Sequence, residues 1–192
     1  MKKVLVPRFL FYVFLGFVLV NSHSCVEEKT VLKIGDSHQG GLIAYILEPG
    51  DNGYVFGETH GLIAAPSNQS DGIQWYNNAY VITEATDSAL FTGANNTDRI
   101  VQKQGVGNYA AKLCSDLVLD GYDDWYLPSI VELSLVRKNL NLLSFDLAKG
   151  DVFWSSTEET DMYAATLWFK APGAPDLYPK YSQRAVRAVR RF

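Results

Sequence analysis

Beyond residue 25 the chain has one cysteine and two histidines on which nucleophilic or metal chemistry could be built. Cys114 stands among Ala110, Leu113, Leu117 and Val118, spaced as one face of a helix, so it reads as buried filler. A nucleophilic role would need a histidine beside it in space. His38 and His60 lie next to glycine-containing turns without a close-spaced ligand partner, which favours loop hydrogen bonding over metal coordination.

Oxygen ligands are better represented. Asp123, Asp124 and Glu158, with Glu159, have the chemistry of a Ca²⁺ site. The competing reading has an aspartate accepting turn amides ahead of Trp125. Asp124 and Glu158 as paired carboxylates for glycoside hydrolysis would require a set separation that sequence does not supply. No catalytic residue is assigned, and no cofactor is implied apart from that Ca²⁺ alternative.

Positive charge gathers near the end, at Lys170, Lys180, Arg184, Arg187, Arg190 and Arg191. On one continuous strand Arg187 and Arg190 face opposite sides. One of them is expected to turn inward and pair with Glu132 or Glu158, a structural role. Lys170, Lys180, Arg184 and Arg191 are then free for an anionic glycan, since guanidinium groups meet carboxylate and sulfate in a fork geometry. Trp75, Tyr76, Tyr80, Trp154, Tyr163 and Trp168 are aromatics able to stack on the apolar faces of sugar rings. Trp125 and Trp154 are read as core. Trp75, Tyr76 and Asn77, amid further amides, are the candidate sugar-binding group.

The elements that must position these residues centre on Trp125-Tyr126-Leu127, a short buried strand that Pro128 stops. Ser129 and Glu132 then form a capping box opening a helix with Leu133, Val136 and Leu140 on one face. Upstream, strands are expected over Leu42–Leu47 and Gly61–Ala65, joined through the turn Pro49-Gly50-Asp51-Asn52-Gly53. Ser67 to Ala94 has no sustained period, yet its aromatics predict an ordered, packed segment. Asn96 or Thr97 caps a helix that Gly105 ends, and a second helix runs from about Asn108 to Leu119. Leu142, Leu143 and Phe145 tuck inward from a connection. Late strands are expected at Val152–Ser156, Tyr163–Phe169 and Ala185–Arg190, with a break at Ala171–Pro175. Strands grouped apart from helices give an α+β fold with a mostly antiparallel sheet.

The run Asp124-Trp125-x-Leu127-Pro128-Ser129-x-x-Glu132-Leu133 resembles the signature of the Lcl C-terminal-like domain family of bacterial surface proteins. The likeness continues, in the family's order, through Gln39-Gly40-Gly41, Gly61–Pro66, Asn96-Thr97, Tyr109-Ala110-Ala111, Phe153–Glu158 and Val186–Arg190. It spans about residues 35–192. The junction and the Arg-x-x-Arg ending are also similar to the formylglycine-generating enzymes and the C-type-lectin-like group. That likeness implies a twisted, mostly antiparallel sheet with two or three flanking helices and long loops. The Lcl resemblance implies adhesion to sulfated or acidic glycans. The chain departs from these relatives in three ways. It has no cysteine pair of the formylglycine-generating kind, no Glu-Pro-Asn, Gln-Pro-Asp or Trp-Asn-Asp sugar triplet, and no collagen-like repeat.

Residues 1–24 read as a signal peptide. Lys2 and Lys3 precede an apolar run of twelve residues, Phe9 to Val20, shorter than the about 20 needed to span a bilayer. Small residues then lead to Cys25, which resembles the lipidated cysteine of bacterial lipoproteins. Residues 25–34 form a tether and 35–192 a single domain. The formal charge of −4 becomes −7 once Lys2, Lys3 and Arg8 are removed with the leader, which argues against nucleic acid as a partner. The expectation is a non-enzymatic outer-membrane lipoprotein, surface-exposed or periplasmic, that binds polysaccharide and is held to the membrane through Cys25. The alternatives are a protein-docking subunit of a surface assembly and an enzyme related to the formylglycine-generating group.

Overall fold

The computed structural model describes residues 31–140, 151–170 and 175–192, those from Leu32 onward belonging to one compact unit that runs to Phe192. The leader, Cys25, most of the tether, the Leu142–Phe145 connection and residues 171–174 lie outside the described residues. Among the described residues no helix is long and apolar enough to cross a membrane.

The fold is α+β. Its strands are β1 (Ser37–His38), β2 (Gly41–Ile46), β3 (Gly61–Ala64) and β4 (Ser70–Ile73), then β5 (Val152–Glu158), β6 (Tyr163–Trp168), β7 (Pro175–Pro179), β8 (Arg184–Val186) and β9 (Val189–Arg191). Between β4 and β5 come helices α1 (Gly93–Gln104), α2 (Ala110–Ser115) and α3 (Ile130–Asn139). One sheet has the order β1-β2-β3-β9 and the other β4-β8-β5-β6-β7. All pairings are antiparallel except β5 with β8, which run parallel at Phe153 and Ala185.

Alternation along the strands explains where the helices sit. Ile43, Ile63 and Trp154 pack with Ile100, Tyr109 and Cys114 of α1 and α2. Their neighbours Ala44, Leu62 and Phe153 pack with Leu133 and Val136 of α3. The central strands are therefore covered on both faces, and all seven residues of β5 are buried.

The Ser129 junction has the geometry its residue order predicts. The Ser129 hydroxyl accepts Glu132 N–H at 3.2 Å, and the Glu132 carboxylate accepts Ser129 N–H at 2.7 Å. Trp125-Tyr126-Leu127 is buried but forms only a bridge, with Tyr126 exchanging backbone bonds of 2.8 and 3.0 Å with Val189. Gly105, at φ 71°, ends α1 as expected.

Four expectations are corrected. The strand expected over Ala185–Arg190 is divided: β8 belongs to one sheet and β9 to the other. The step falls at Arg187-Ala188, where Ala65 N–H donates to Ala188 O at 2.9 Å and Arg187 Nη1 donates to Ala65 O at 2.8 Å. Helix α1 starts earlier than an Asn96 or Thr97 cap would allow. Both side chains are buried inside it, Asn96 donating to Asp87 O at 2.6 Å and Thr97 accepting Leu127 N–H at 3.0 Å. Helix α2 stops at Ser115, because the chain turns back through Asp120 and Gly121 with φ of 54° and 81°, which leaves Val118 exposed. Strands β4 and β7 lie where no strand was expected; β4 carries Gly72 and β7 is bounded by Pro175 and Pro179, so neither has a strand-like composition.

Candidate functional site

The aperiodic segment after β4 is fastened to the second sheet first at Trp75 and then through Glu158. Trp75 N–H donates to Lys180 O at 2.9 Å, and its indole Nε1 donates to Ser155 O at 2.9 Å. The ring lies over the Lys180 ammonium, 4.4 Å from centroid to Nζ, an arrangement favourable to a desolvated cation. Lys180 Nζ meets Glu158 Oε1 at 2.5 Å, with side-chain exposures of 0% and 1%. Glu158 also accepts the N–H groups of Thr83 (2.8 Å) and Glu84 (2.9 Å). Glu84 has φ of 63°. Burial pulls the Lys180 ammonium below its ordinary range, and the Glu158 carboxylate pulls it back.

This geometry corrects several ligand assignments. Trp75 is wholly buried and Tyr76 nearly so; their flat faces are core, not a free stacking surface. Asn77 is occupied at the end of α1, its N–H donating to Gln104 Oε1 at 2.9 Å and its Nδ2 to the carbonyls of Gln104 and Val106. Lys180 is an internal counter-ion, not a surface cation. Glu158 holds a lysine and two amides, so it is not a calcium ligand.

The remaining metal candidates are separated from it. Asp124 grips Arg190 with both oxygens, at 2.6 and 2.9 Å, and Asp123 is exposed. Among the described residues no three His, Cys, Asp or Glu side chains converge as a metal-holding group. Arg190 also stacks 4.0 Å from the Tyr122 ring centroid and donates to Gln39 Oε1 at 2.5 Å. Arg187 donates to Asn68 Oδ1 at 2.9 Å, and burial lowers its guanidinium to about 10 against the opposing pull of Asp71. Both arginines are thus buried as structural residues, but through Asp124, Asn68 and a carbonyl. The expected partners are engaged elsewhere, Glu158 by Lys180 and Glu132 by Tyr126, Phe91 and Ser129.

The other cations have different neighbours. Lys170 lies 3.8 Å from Asp151, Arg184 stacks 4.0 Å from the Tyr178 centroid, and Arg191 lies 4.7 Å over Phe91 while donating to the Phe91 carbonyl. Each is thus engaged by a neighbour of its own. His38 packs edge-on against Phe192 at 5.1 Å, and His60 Nε2 bonds Glu58 at 2.7 Å. Cys114 is fully buried and its thiol is pushed up by that burial. Trp154 is core, its Nε1 donating to Ile73 O at 2.8 Å, and Trp125 is core with its indole donating to Tyr122 O.

The segments that carry the buried Trp75–Lys180 pair also carry exposed aromatics, or adjoin segments that do. Tyr80, Tyr163 and Tyr181 are exposed, Tyr181 to 57%, with Ile82 and Met162 exposed as well. Tyr80 lies 5.0 Å from Tyr76, centroid to centroid and tilted by 37°. Desolvation, then the neighbouring hydroxyls of Tyr76, Tyr181 and Tyr163, push the Tyr80 phenol up. Lys180 N–H donates to Met162 O at 2.8 Å, Tyr163 pairs with Pro179 and Trp75 N–H reaches Lys180 O, so the segments carrying Tyr76, Tyr163 and Tyr181 adjoin, with Tyr80 against Tyr76. Tyr80 and Tyr163 carry forward from the aromatics singled out in the sequence. Tyr181 was missed; its signal is a tyrosine in the polar turn Pro179-Lys180-Tyr181-Ser182, between two strands.

Beside this surface is a groove of about 450 Å³ lined by the amides of Gln69, Gln74, Asn108 and Gln183, with Ile73 and Leu113 as apolar walls. Ile73 pairs with Arg184, and Trp75 N–H reaches Lys180 O, so segments 73–76 and 180–184 run side by side. Gln74 and Gln183 therefore line the groove only two residues from Tyr76 and Tyr181 on those same segments. Such an arrangement can stack and hydrogen-bond a polyhydroxylated ligand. No model of a known protein family matches this chain, and no curated protein is detectably similar to it.

Proposed function

We propose that this chain is a non-enzymatic cell-envelope domain that binds polysaccharide, lipid-anchored through Cys25 and folded as a member of the C-type-lectin-like group. The observation that carries the binding reading is the cluster of Tyr80, Tyr163 and Tyr181 on the surface beside an amide-lined groove. Pyranose rings have apolar CH faces that match exposed phenol rings, while their hydroxyls match side-chain amides, which both donate and accept. The groove volume falls in the range of about 300–1,000 Å³ typical of small-molecule sites. The resemblance to Lcl C-terminal-like domains supports the envelope location and the adhesive role. The burial of Cys114 weighs against thiol chemistry of the formylglycine-generating kind.

The exposed Ile82 and Met162, within two residues of Tyr80 and Tyr163 in the chain, favour a second reading, in which the same face docks a surface protein. Retention of the full chain on immobilised polysaccharides separates the two. Polysaccharide binding is expected, and Tyr181→Ala is expected to weaken it while shifting stability by less than about 0.5 kcal/mol, as for an exposed position. Equal retention of Tyr181→Ala and parent would remove the tyrosine face from the site. Failure of every polysaccharide to retain the parent would favour the docking reading.

A further inference from the structure

Resting on the polysaccharide reading above, we infer that the ligand is an uncharged glycan chain of at least two sugars, bound without Ca²⁺. One sugar stacks on Tyr80 and Tyr181, and the next lies in the amide groove.

Charge gives the first argument. The lysine nearest the tyrosines, Lys180, is buried and neutralised by Glu158, so it offers nothing to a sulfate or uronate. Arg184, beside the groove, lies on the Tyr178 ring and donates to the Gln183 carbonyl. Exposed carboxylates stand around the same region: Asp71 is adjacent to the groove residue Gly72, and Glu159 and Asp161 belong to the turn that carries Tyr163. A polyanion approaching this face meets three carboxylates against one guanidinium, that of Arg184, a net like charge that repels it. A neutral chain is not repelled.

Unused hydrogen-bonding capacity gives the second. The side chains of Asn108 and Gln183 are exposed and make no hydrogen bond to another described residue. Gln74 donates Nε2 to Asn78 Oδ1 at 2.9 Å, which leaves its carbonyl oxygen available. Each free amide offers a donor and an acceptor at fixed separation, the pairing that adjacent sugar hydroxyls require. Among the described residues no carboxylate lines the groove, so it offers a calcium ion no charged ligand. The continuity of groove and tyrosines along residues 73–76 and 180–184 supplies the third argument. A ligand engaging both must extend beyond one ring.

The test uses the full chain with dextran, mannan and laminarin as neutral probes, heparin and alginate as charged ones, each with Ca²⁺ and with a chelator, at low and high salt. The expected result is retention on at least one neutral glucan or mannan, indifferent to chelator and to salt. Gln183→Ala and Asn108→Ala are expected each to weaken it about fivefold, the equivalent of one lost hydrogen bond. Both positions are exposed, so these variants fold. Retention on heparin or alginate that fades with salt, with Gln183→Ala unchanged, would overturn this inference and leave the polysaccharide reading standing. Neutral binding that needs Ca²⁺, or that Tyr181→Ala abolishes while both amide variants bind normally, would overturn it too. No retention on any probe would remove the polysaccharide reading itself.

Discussion

Glu132 and Glu158 are both withdrawn from water, and they are held in opposite ways. Glu132 is surrounded by neutral donors: Ser129 N–H at 2.7 Å, Tyr126 OH at 2.8 Å and Phe91 N–H at 3.0 Å. Two of those donors lie within six residues of it in the chain. Burial pushes its carboxyl up, and the donors pull it back down. Glu158 instead meets a full cation, Lys180, together with the N–H groups of Thr83 and Glu84, some 75 residues away. One carboxylate closes a local junction; the other ties a long aperiodic segment to a sheet. The difference shows two ways of stabilising a buried charge, by oriented dipoles nearby in sequence or by a counter-ion brought in by the fold.

The comparison breaks most visibly at Lys180. Lys180→Met leaves Glu158 buried without its cation, and removing one half of a buried pair costs on the order of 3–5 kcal/mol. Urea unfolding is expected to show that loss. Adding Glu158→Gln is expected to restore only part of it. A Gln oxygen in the place of Oε2 still accepts both amides, at 2.8 and 2.9 Å in the parent, but as a neutral acceptor, and its NH₂ replaces Oε1 with no acceptor at position 180. Full recovery in the double variant would mean that the charge of the Glu158 carboxylate adds little to its bonds with Thr83 and Glu84.

Gly93 tests the Glu132 side. It is the first residue of α1, where replacing glycine by alanine ordinarily stabilises a helix. Here an added Cβ would lie 2.3 Å from Glu132 Oε2, 2.7 Å from Ser129 N and 2.8 Å from Leu127 O. Two of those atoms are backbone and the third is pinned by its donors. Gly93→Ala is therefore expected to destabilise by about 1–3 kcal/mol, the cost of overpacking. A stabilised variant in thermal unfolding would show that the Glu132 node is loose enough to shift.

These two regions also mark how far the amino-acid order could be read. The Ser129–Glu132 box, the α3 face and the β2–β3 hairpin depend on residues close in sequence, and the spacing carried them. Trp75, Lys180 and Glu158 depend on segments that meet only after folding. By sequence, Trp75 among amides resembled a surface sugar site and Lys180 a free cation. Their burial follows from Ser155 and Glu158 arriving on β5. Likewise one of Arg187 and Arg190 was legible as inward-turning, yet both are buried, because the chain changes sheet between them and alternation along one strand does not apply. The tyrosine cluster was half visible, through Tyr80 and Tyr163. Tyr181 joins it only because residues 180–184 return alongside 73–76.

Ser129 gives the smallest and most discriminating effect, because it stands on the boundary between local and distant contacts. As an N-cap alone, its replacement by glycine would cost only a few tenths of a kcal/mol, since glycine is itself a tolerated cap. In this structure the hydroxyl both accepts Glu132 N–H and donates to Ala89 O at 2.8 Å, forty residues upstream. Ser129→Gly therefore also leaves the Ala89 carbonyl without that donor, and the expected cost rises to about 1–2 kcal/mol. Ser129→Asp keeps a capping oxygen but cannot donate, and it brings a second carboxylate beside Glu132. It is expected to be at least as destabilising as glycine at neutral pH, despite the preference for aspartate at helix starts. If Ser129→Asp proves neutral or stabilising in thermal unfolding, the junction is closed by its capping box alone. The Ala89 contact would then be a consequence of that closure, and not one of its causes.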